Sequence, residues 1–172
     1  MPPKRGEAVE VPEVPPPPTS GSGKFFYKSG ATYKGDWILL FANPPPTPEV
    51  DGKKAVKKKD DPPPPPSEPP KRVRHGKGVY KEGDYVYEGD FFQDMIQGTG
   101  KFTYASGASY EGQWHQGEYH GTGRYTWPDG RTYEGQWQAN KMHGQGTYTD
   151  INGHKWTGQF FNGSGPGLVN QL

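Results

Sequence analysis

The sequence predicts an all-β fold: tandem β-hairpins laid side by side in one elongated, single-layer antiparallel sheet. Three observations predict it. An aromatic-x-Gly-x-aromatic unit recurs along the chain. A Gly-x-Gly-x-aromatic unit alternates with it. Tight-turn dipeptides such as Asp129-Gly130 and Asn152-Gly153 separate the two. A recurrent unit of this length marks a repeat architecture, so the repeat governs every later step.

The first unit appears as Tyr33-Lys-Gly35-Asp-Trp37, Tyr87-Glu-Gly89-Asp-Phe91, Tyr110-Glu-Gly112-Gln-Trp114, Tyr133-Glu-Gly135-Gln-Trp137 and Trp156-Thr-Gly158-Gln-Phe160. The last four begin 23 residues apart, at 87, 110, 133 and 156. The second unit appears as Gly21/Gly23/Phe25, Gly76/Gly78/Tyr80, Gly98/Gly100/Phe102, Gly121/Gly123/Tyr125 and Gly144/Gly146/Tyr148. Both have period two and read as strands with aromatic and glycine positions on one face and polar positions on the other. Bare glycine weakens a strand unless something covers it. A cross-strand ring lying over the glycine supplies that cover. Ten strands at ~4.8 Å each extend roughly 48 Å.

The connections come next. Asp129-Gly130 and Asn152-Gly153 suit tight hairpins because Gly and Asn tolerate positive φ. Ser29-Gly30, Ser106-Gly107 and Glu82-Gly83 stand in the same place, and the copy at Glu82-Gly83 is one residue shorter, so its turn should differ. The other connection, as from His115 to His120, reads as longer and polar.

Composition divides the chain. Eighteen of its 20 prolines lie in residues 1–70, and only Pro128 and Pro166 lie beyond. Residues 1–20 read as a Pro-rich tail, 21–38 as a first hairpin, 39–70 as a Pro/Lys-rich insertion and 71–172 as the main array. Segments that are rich in proline and charge cannot bury a core by themselves. A long insertion costs little closure entropy, so the first hairpin can still join the sheet. Pro166 inside Gly165-Pro-Gly167 shortens the last copy and reads as a cap against edge-to-edge growth.

Several function classes lose their support. Without cysteine there is no disulfide, thiolate metal site or cysteine nucleophile. The start, Met1-Pro2-Pro3-Lys4-Arg5, leads into no apolar stretch, so no secretory signal is expected. The array 71–172 carries equal numbers of basic and acidic residues, so no broad pull toward nucleic acid follows. Gly-x-Gly lacks the third glycine of a dinucleotide fingerprint: Phe26, Lys81, Thr103, Thr126 and Thr149 stand there. His75, His120 and His143 occupy equivalent places two strands apart, ~9.5 Å, too far for one zinc ion. They are read as turn-stabilising. Glu88, Glu111 and Glu134 form a row on the polar face, read as solvated rather than catalytic. No catalytic residue, metal or cofactor is expected.

The pattern Tyr-x-Gly-x-Trp, polar turn, His-Gly-x-Gly, aromatic strand and Asp-Gly resembles the MORN repeat. Tyr110-Glu-Gly-Gln-Trp-His-Gln-Gly-Glu-Tyr-His-Gly-Thr-Gly-Arg-Tyr125 is its cleanest copy. The insertion, Gln97 and Ser164 in place of His, and the short last copy depart from the pattern. The resemblance implies a single-layer sheet with a grooved aromatic face. Such repeats are appended to lipid kinases, methyltransferases and junctional membrane proteins. Short repeat-only chains resemble structural adaptors of motile cilia, including radial spokes. This chain carries no catalytic appendage beside its repeats, which aligns it with the adaptors. The implied partners are axonemal or radial spoke proteins, including dynein- or tubulin-associated ones.

A single sheet with a continuous aromatic face leaves that face partly uncovered. One fully buried aromatic removes ~150–250 Å² from water, about 4–6 kcal/mol as an upper bound. Exposed apolar surface of this kind marks a partner site, and an aromatic groove suits a helix or an extended peptide. The candidate contacts are Tyr87, Phe91, Tyr110, Trp114, Tyr125, Trp127, Tyr133, Trp137, Trp156 and Phe160, some of which must form the core. Lys53, Lys54, Lys57, Lys58 and Lys59 read either as a solubilising linker or as an electrostatic tether. The expected function is a non-enzymatic adaptor in a ciliary or flagellar axoneme. The alternative is a peripheral membrane or phosphoinositide-binding module that uses Lys53 to Lys59. Self-association through the sheet stays open. Trp37-Ile-Leu-Leu-Phe-Ala42 reads either as extra core under the first hairpin or as an anchor for another chain.

Overall fold

A computed structural model describes residues 19–41 and 69–171. It is one open antiparallel sheet of eleven strands in sequence order. They are β1 (Ser20–Phe26), β2 (Thr32–Leu40), β3 (Lys71–Glu82), β4 (Tyr85–Phe92), β5 (Met95–Thr103), β6 (Ser109–His115), β7 (Glu118–Thr126), β8 (Thr132–Gln138), β9 (Lys141–Thr149), β10 (Lys155–Phe160) and β11 (Val169–Gln171). There is one strand more than the ten expected, because three residues after Leu168 pair with Lys155 to Thr157. The first hairpin joins the array directly, with Tyr33 opposite Tyr80 and Gly35 opposite Gly78. β2 runs to Leu40, two residues into the stretch read as insertion.

The two kinds of connection are reversed relative to the sequence reading. The link between His115 and His120 is not long. The strands continue to His115 and resume at Glu118, leaving the two-residue turn Gln116-Gly117. Gln93-Asp94, Ala139-Asn140 and Asn162-Gly163 are equivalent, and in all four turns both residues have positive φ, the type I′ pattern that matches strand twist. Asp129-Gly130 instead sits in a wider loop. There the Trp127 N–H donates to the Arg131 carbonyl and the Gly130 N–H to the Trp127 carbonyl, with Gly130 at φ 93°. The same pattern closes the loops at Tyr27–Ala31, Tyr104–Ala108 and Asp150–His154. The Gly83-Asp84 turn has two residues, with positive φ at Gly83 alone. The loss of one residue therefore changes the turn, as expected.

The Gly-x-Gly strands are not plain period-two strands either. Against the preceding strand, the register slips between Gly35 and Trp37, Gly89 and Phe91, Gly112 and Gln113, and Gly135 and Gln136. Each slip gives the Gly-x-Gly strand two residues more than the strand it faces. The first glycine of the pair, Gly76, Gly98, Gly121 or Gly144, takes positive φ there. A Cβ on it would run into Asp36, Asp90, Gln113 or Gln136. Ring cover therefore explains only the second glycine, and the first serves a β-bulge.

The core is a single row of rings. Tyr33, Tyr87, Tyr110 and Tyr133 are completely buried, each lying over a glycine pair. Phe91, Trp114 and Trp137 fill the spaces between them, Phe160 packs against Tyr133 at one end, and Trp37 is buried against Gly21 at the other. Tyr110 lies between Trp114 and Trp137, edge-on to both at 5.1 and 5.4 Å.

Candidate partner-binding face

Two rows of rings share the aromatic face. The inner row is the core just described, and seven of the ten expected contact residues belong to it: Tyr87, Phe91, Tyr110, Trp114, Tyr133, Trp137 and Phe160 are buried. The other three, Tyr125, Trp127 and Trp156, are half-buried and belong to an outer row near the wide loops. Tyr85, Phe102, Tyr104 and Tyr148 complete this row. Successive rings along it stand 4.6 to 6.4 Å apart, from Tyr85 through Phe102, Tyr104, Tyr125, Trp127 and Tyr148 to Trp156. Tyr85 is 47% exposed.

The rows differ in what lies beneath each ring. Inner tyrosines stand two residues before a glycine, so the ring can fold down onto bare backbone. The Tyr110 ring covers Gly123, and its hydroxyl donates to the Gln113 carbonyl at 2.8 Å. Tyr33, Tyr87 and Tyr133 donate likewise to Asp36, Asp90 and Gln136. The Trp114 and Trp137 indoles donate to the Gly100 and Gly123 carbonyls at 3.0 and 2.9 Å. Outer rings lean on one another, and at Trp156, two residues before Gly158, Leu168 takes the place over the glycine. Burial pushes the Tyr33 and Tyr133 hydroxyls up to about 12 and also raises those of Tyr87 and Tyr110.

Tyr119 went unrecognised in the sequence. It stacks flat on Tyr110 at 3.8 Å and shares a hydrogen bond with Tyr104. Arg74, Ile96 and Met142 stand at its position in the other copies. No residue type repeats there, so pattern reading had nothing to detect. The outer aromatics were visible, since Tyr80, Phe102, Tyr125 and Tyr148 each end a Gly-x-Gly-x-aromatic unit.

Beside the outer row lies an apolar pocket of about 390 Å³, lined by Tyr80, Tyr85, Ile96 and Phe102, with Arg74 and Asp94 among its charged residues. Arg74 is fixed there. Its guanidinium lies 4.9 Å from both the Tyr80 and Phe91 rings, and Asp94 accepts from its Nε at 3.1 Å. The pocket holds no catalytic constellation.

The polar face is self-satisfied by comparison. A trough of about 1880 Å³ runs along it from Lys77 to Lys155. Two of the three glutamates in the row are answered across the strands: Lys101 pairs with Glu111 at 3.6 Å and Arg124 with Glu134 at 3.9 Å. Lys77 meets Asp90 at 2.6 Å. Asp36, Asp90, Gln113 and Gln136 accept the backbone N–H of Lys77, Thr99, Thr122 and Gln145 at the bulges. His75 and His143 rest near Phe92 and Phe161, and His120 near His115. Among the described residues, no group of three or more His, Asp or Glu could hold a metal ion.

Trp37 belongs to the core, with the Arg72 guanidinium 4.2 Å above its ring, whereas Phe41 is 42% exposed. Lys53, Lys54, Lys57, Lys58 and Lys59 lie outside the described residues. No helix among the described residues is long and apolar enough to cross a membrane.

A family model for the MORN repeat matches residues 73–84, 87–109, 110–130 and 133–155. No curated protein matches the chain.

Proposed function

Since the chain carries MORN repeats, a non-enzymatic repeat type that mediates protein or membrane interactions, we propose that it is a scaffold that grips a segment of another protein on its outer aromatic row. The observation that carries this reading is the unbroken line of half-buried rings from Tyr85 to Trp156. Rings already held by their neighbours lose little conformational freedom when a partner covers them, and they offer large apolar area. The pocket beside Phe102, about 390 Å³, has room for a large side chain and offers an anchor point. A helix or an extended peptide laid along the row fits this geometry. Several charges of the polar face pair with one another, which favours the aromatic face as the contact.

We further propose a ciliary or flagellar axoneme as its setting, with radial spoke, dynein-associated or tubulin-associated proteins as partners. The tandem repeats at residues 73–155, of a type that mediates protein or membrane interactions, support a scaffold that can sit in such an assembly.

Cross-linking of the tagged full chain in ciliated cells tests both parts. Trp127→Ala and Phe102→Ala should each weaken the recovered complex about tenfold or more, the worth of one good anchor ring. Glu111→Gln on the polar face should leave it unchanged. An unaltered complex in both ring variants overturns the outer-row reading. Release by detergent alone, rather than by high salt, overturns the axonemal reading in favour of a membrane.

A further inference from the structure

β1 repeats the sequence of a strand that, elsewhere in the sheet, always has two neighbours. β3, β5, β7 and β9 each carry Gly-x-Gly and lie between two aromatic-x-Gly-x-aromatic strands. On the preceding side their second glycine faces a glycine: Gly78 faces Gly35, Gly100 faces Gly89, Gly123 faces Gly112 and Gly146 faces Gly135. The preceding strand's tyrosine lies across that second glycine so closely that a Cβ would overlap its ring. β1 carries the same pair, Gly21 and Gly23, yet among the described residues it pairs only with β2, on the following side. Gly21 has no positive φ, unlike its four counterparts. A Cβ on Gly23 would meet only the Phe25 ring at 3.3 Å and the Trp37 ring at 3.9 Å. The glycine is present, but the tyrosine that occupies the place above it in every internal copy is missing.

The edge is chemically open. Tyr27 N–H donates to the Ala31 carbonyl, and Leu39 N–H to the Thr19 carbonyl. The odd-numbered residues of β1 therefore face β2, and Ser20, Ser22, Lys24 and Phe26 turn their N–H and C=O groups outward. No proline blocks this stretch. The opposite end of the sheet is finished differently: β11 has three residues, and Leu168 lies over Gly158 where a tyrosine would otherwise sit.

We propose that the outer edge of β1 accepts an extended strand of another protein with the pattern aromatic-x-Gly-x-aromatic. It would add antiparallel, with its glycine opposite Gly23, its first ring opposite Phe25 and that ring folded across Gly23. The foreign origin follows from sequence. Residues 1–18 and 42–68 contain no Phe, Trp or Tyr, so neither can supply the ring. A second copy could supply such a strand only by unzipping its own sheet. The partner is therefore a protein that ends in an unpaired strand of this type, and the two sheets become one.

The probe is a synthetic peptide with the sequence of residues 107–116, which contains Tyr110-Glu-Gly-Gln-Trp114, added to the full chain. Saturable binding is expected, with slowed amide exchange at Ser22 and Lys24. A peptide with both rings replaced by serine should bind at least tenfold more weakly. Ser22→Pro removes an outward N–H that the fold does not use, so thermal melting should hold while binding falls at least tenfold. Gly23→Val fills the place of the ring and should also weaken binding, with the backbone edge intact. Trp127→Ala should leave this binding unchanged, which separates the edge from the outer aromatic row. Equal binding by the ring-less peptide, or binding indifferent to both Ser22→Pro and Gly23→Val, overturns the proposal. So does an absence of binding, and so does concentration-dependent dimerisation abolished by Ser22→Pro, which would seat a second copy on the edge.

Discussion

Tyr110 shows how one residue can stabilise a sheet that has no second layer. Its ring lies on Gly123, its hydroxyl donates to the Gln113 carbonyl, and Tyr119 stacks above it. Backbone below and rings above replace the missing layer. Gly123→Ala should therefore cost about 1–3 kcal/mol by overpacking, whereas Gly130→Ala, in open space, should cost about 1 kcal/mol from its positive φ alone. Urea unfolding monitored by tryptophan fluorescence measures both. The hydroxyls also make a pH prediction. Burial raises the folded pKa of Tyr33 and Tyr133 to about 12, against roughly 10 in the unfolded chain. Between those values the unfolded chain loses protons that the folded chain keeps. This contribution to stability is thus complete below about pH 10 and declines as pH rises toward 12. Tyrosinate absorbance followed alongside circular dichroism should show the inner tyrosines ionising as the sheet unfolds.

At the scale of elements, the turns carry specificity beside the bulged strands. Each two-residue turn rests on the strand before it. Asp94 N–H donates to the Arg74 carbonyl, and its carboxylate accepts the Arg74 N–H. Asn140 repeats both contacts at Tyr119. Asp94→Asn should consequently change stability little, while Asp94→Ala should cost about 1–2 kcal/mol through the unsatisfied Arg74 N–H. Ala139 shows where turn chemistry was sacrificed. It holds φ 48°, a left-handed conformation costly for any residue with a Cβ. Ala139→Gly should raise stability by about 1 kcal/mol, seen as a rise of a few degrees in the thermal midpoint. The turns were misread from sequence for a physical reason. Gln93, Gln116 and Ala139 are not turn-favouring residues, and neighbouring strands impose positive φ on them. Asp-Gly and Asn-Gly were recognised as turns, but the extra residues ahead of them place their glycines at the αL position of a wider loop.

At the scale of the whole molecule, every strand among the described residues pairs only with its sequence neighbours, so stability should accumulate repeat by repeat. Removing residues 110–132, one 23-residue period, joins Ser109 to Tyr133 and keeps the alternation of strand types. The shortened chain should remain folded, with a lower urea midpoint and a smaller dependence of stability on urea. The strand alternation, the aromatic-glycine face and the inclusion of the first hairpin across its insertion were all legible in the sequence. They follow from a period of two within each strand and a period of 23 between copies. The sequence could not say which rings form core and which stay available to a partner, because Tyr110 and Tyr125 look alike as letters. Only the folded sheet separates them, since antiparallel pairing lays the Tyr110 ring over Gly123 and leaves Tyr125 half-buried near a loop. The bulges were hidden for the same reason. Gly121 and Gly123 read as one motif, yet pairing with the preceding strand assigns the first to a kink and the second to a tyrosine. Repeated residues thus determined the architecture, while exposure was decided by contacts between strands, which no single strand encodes.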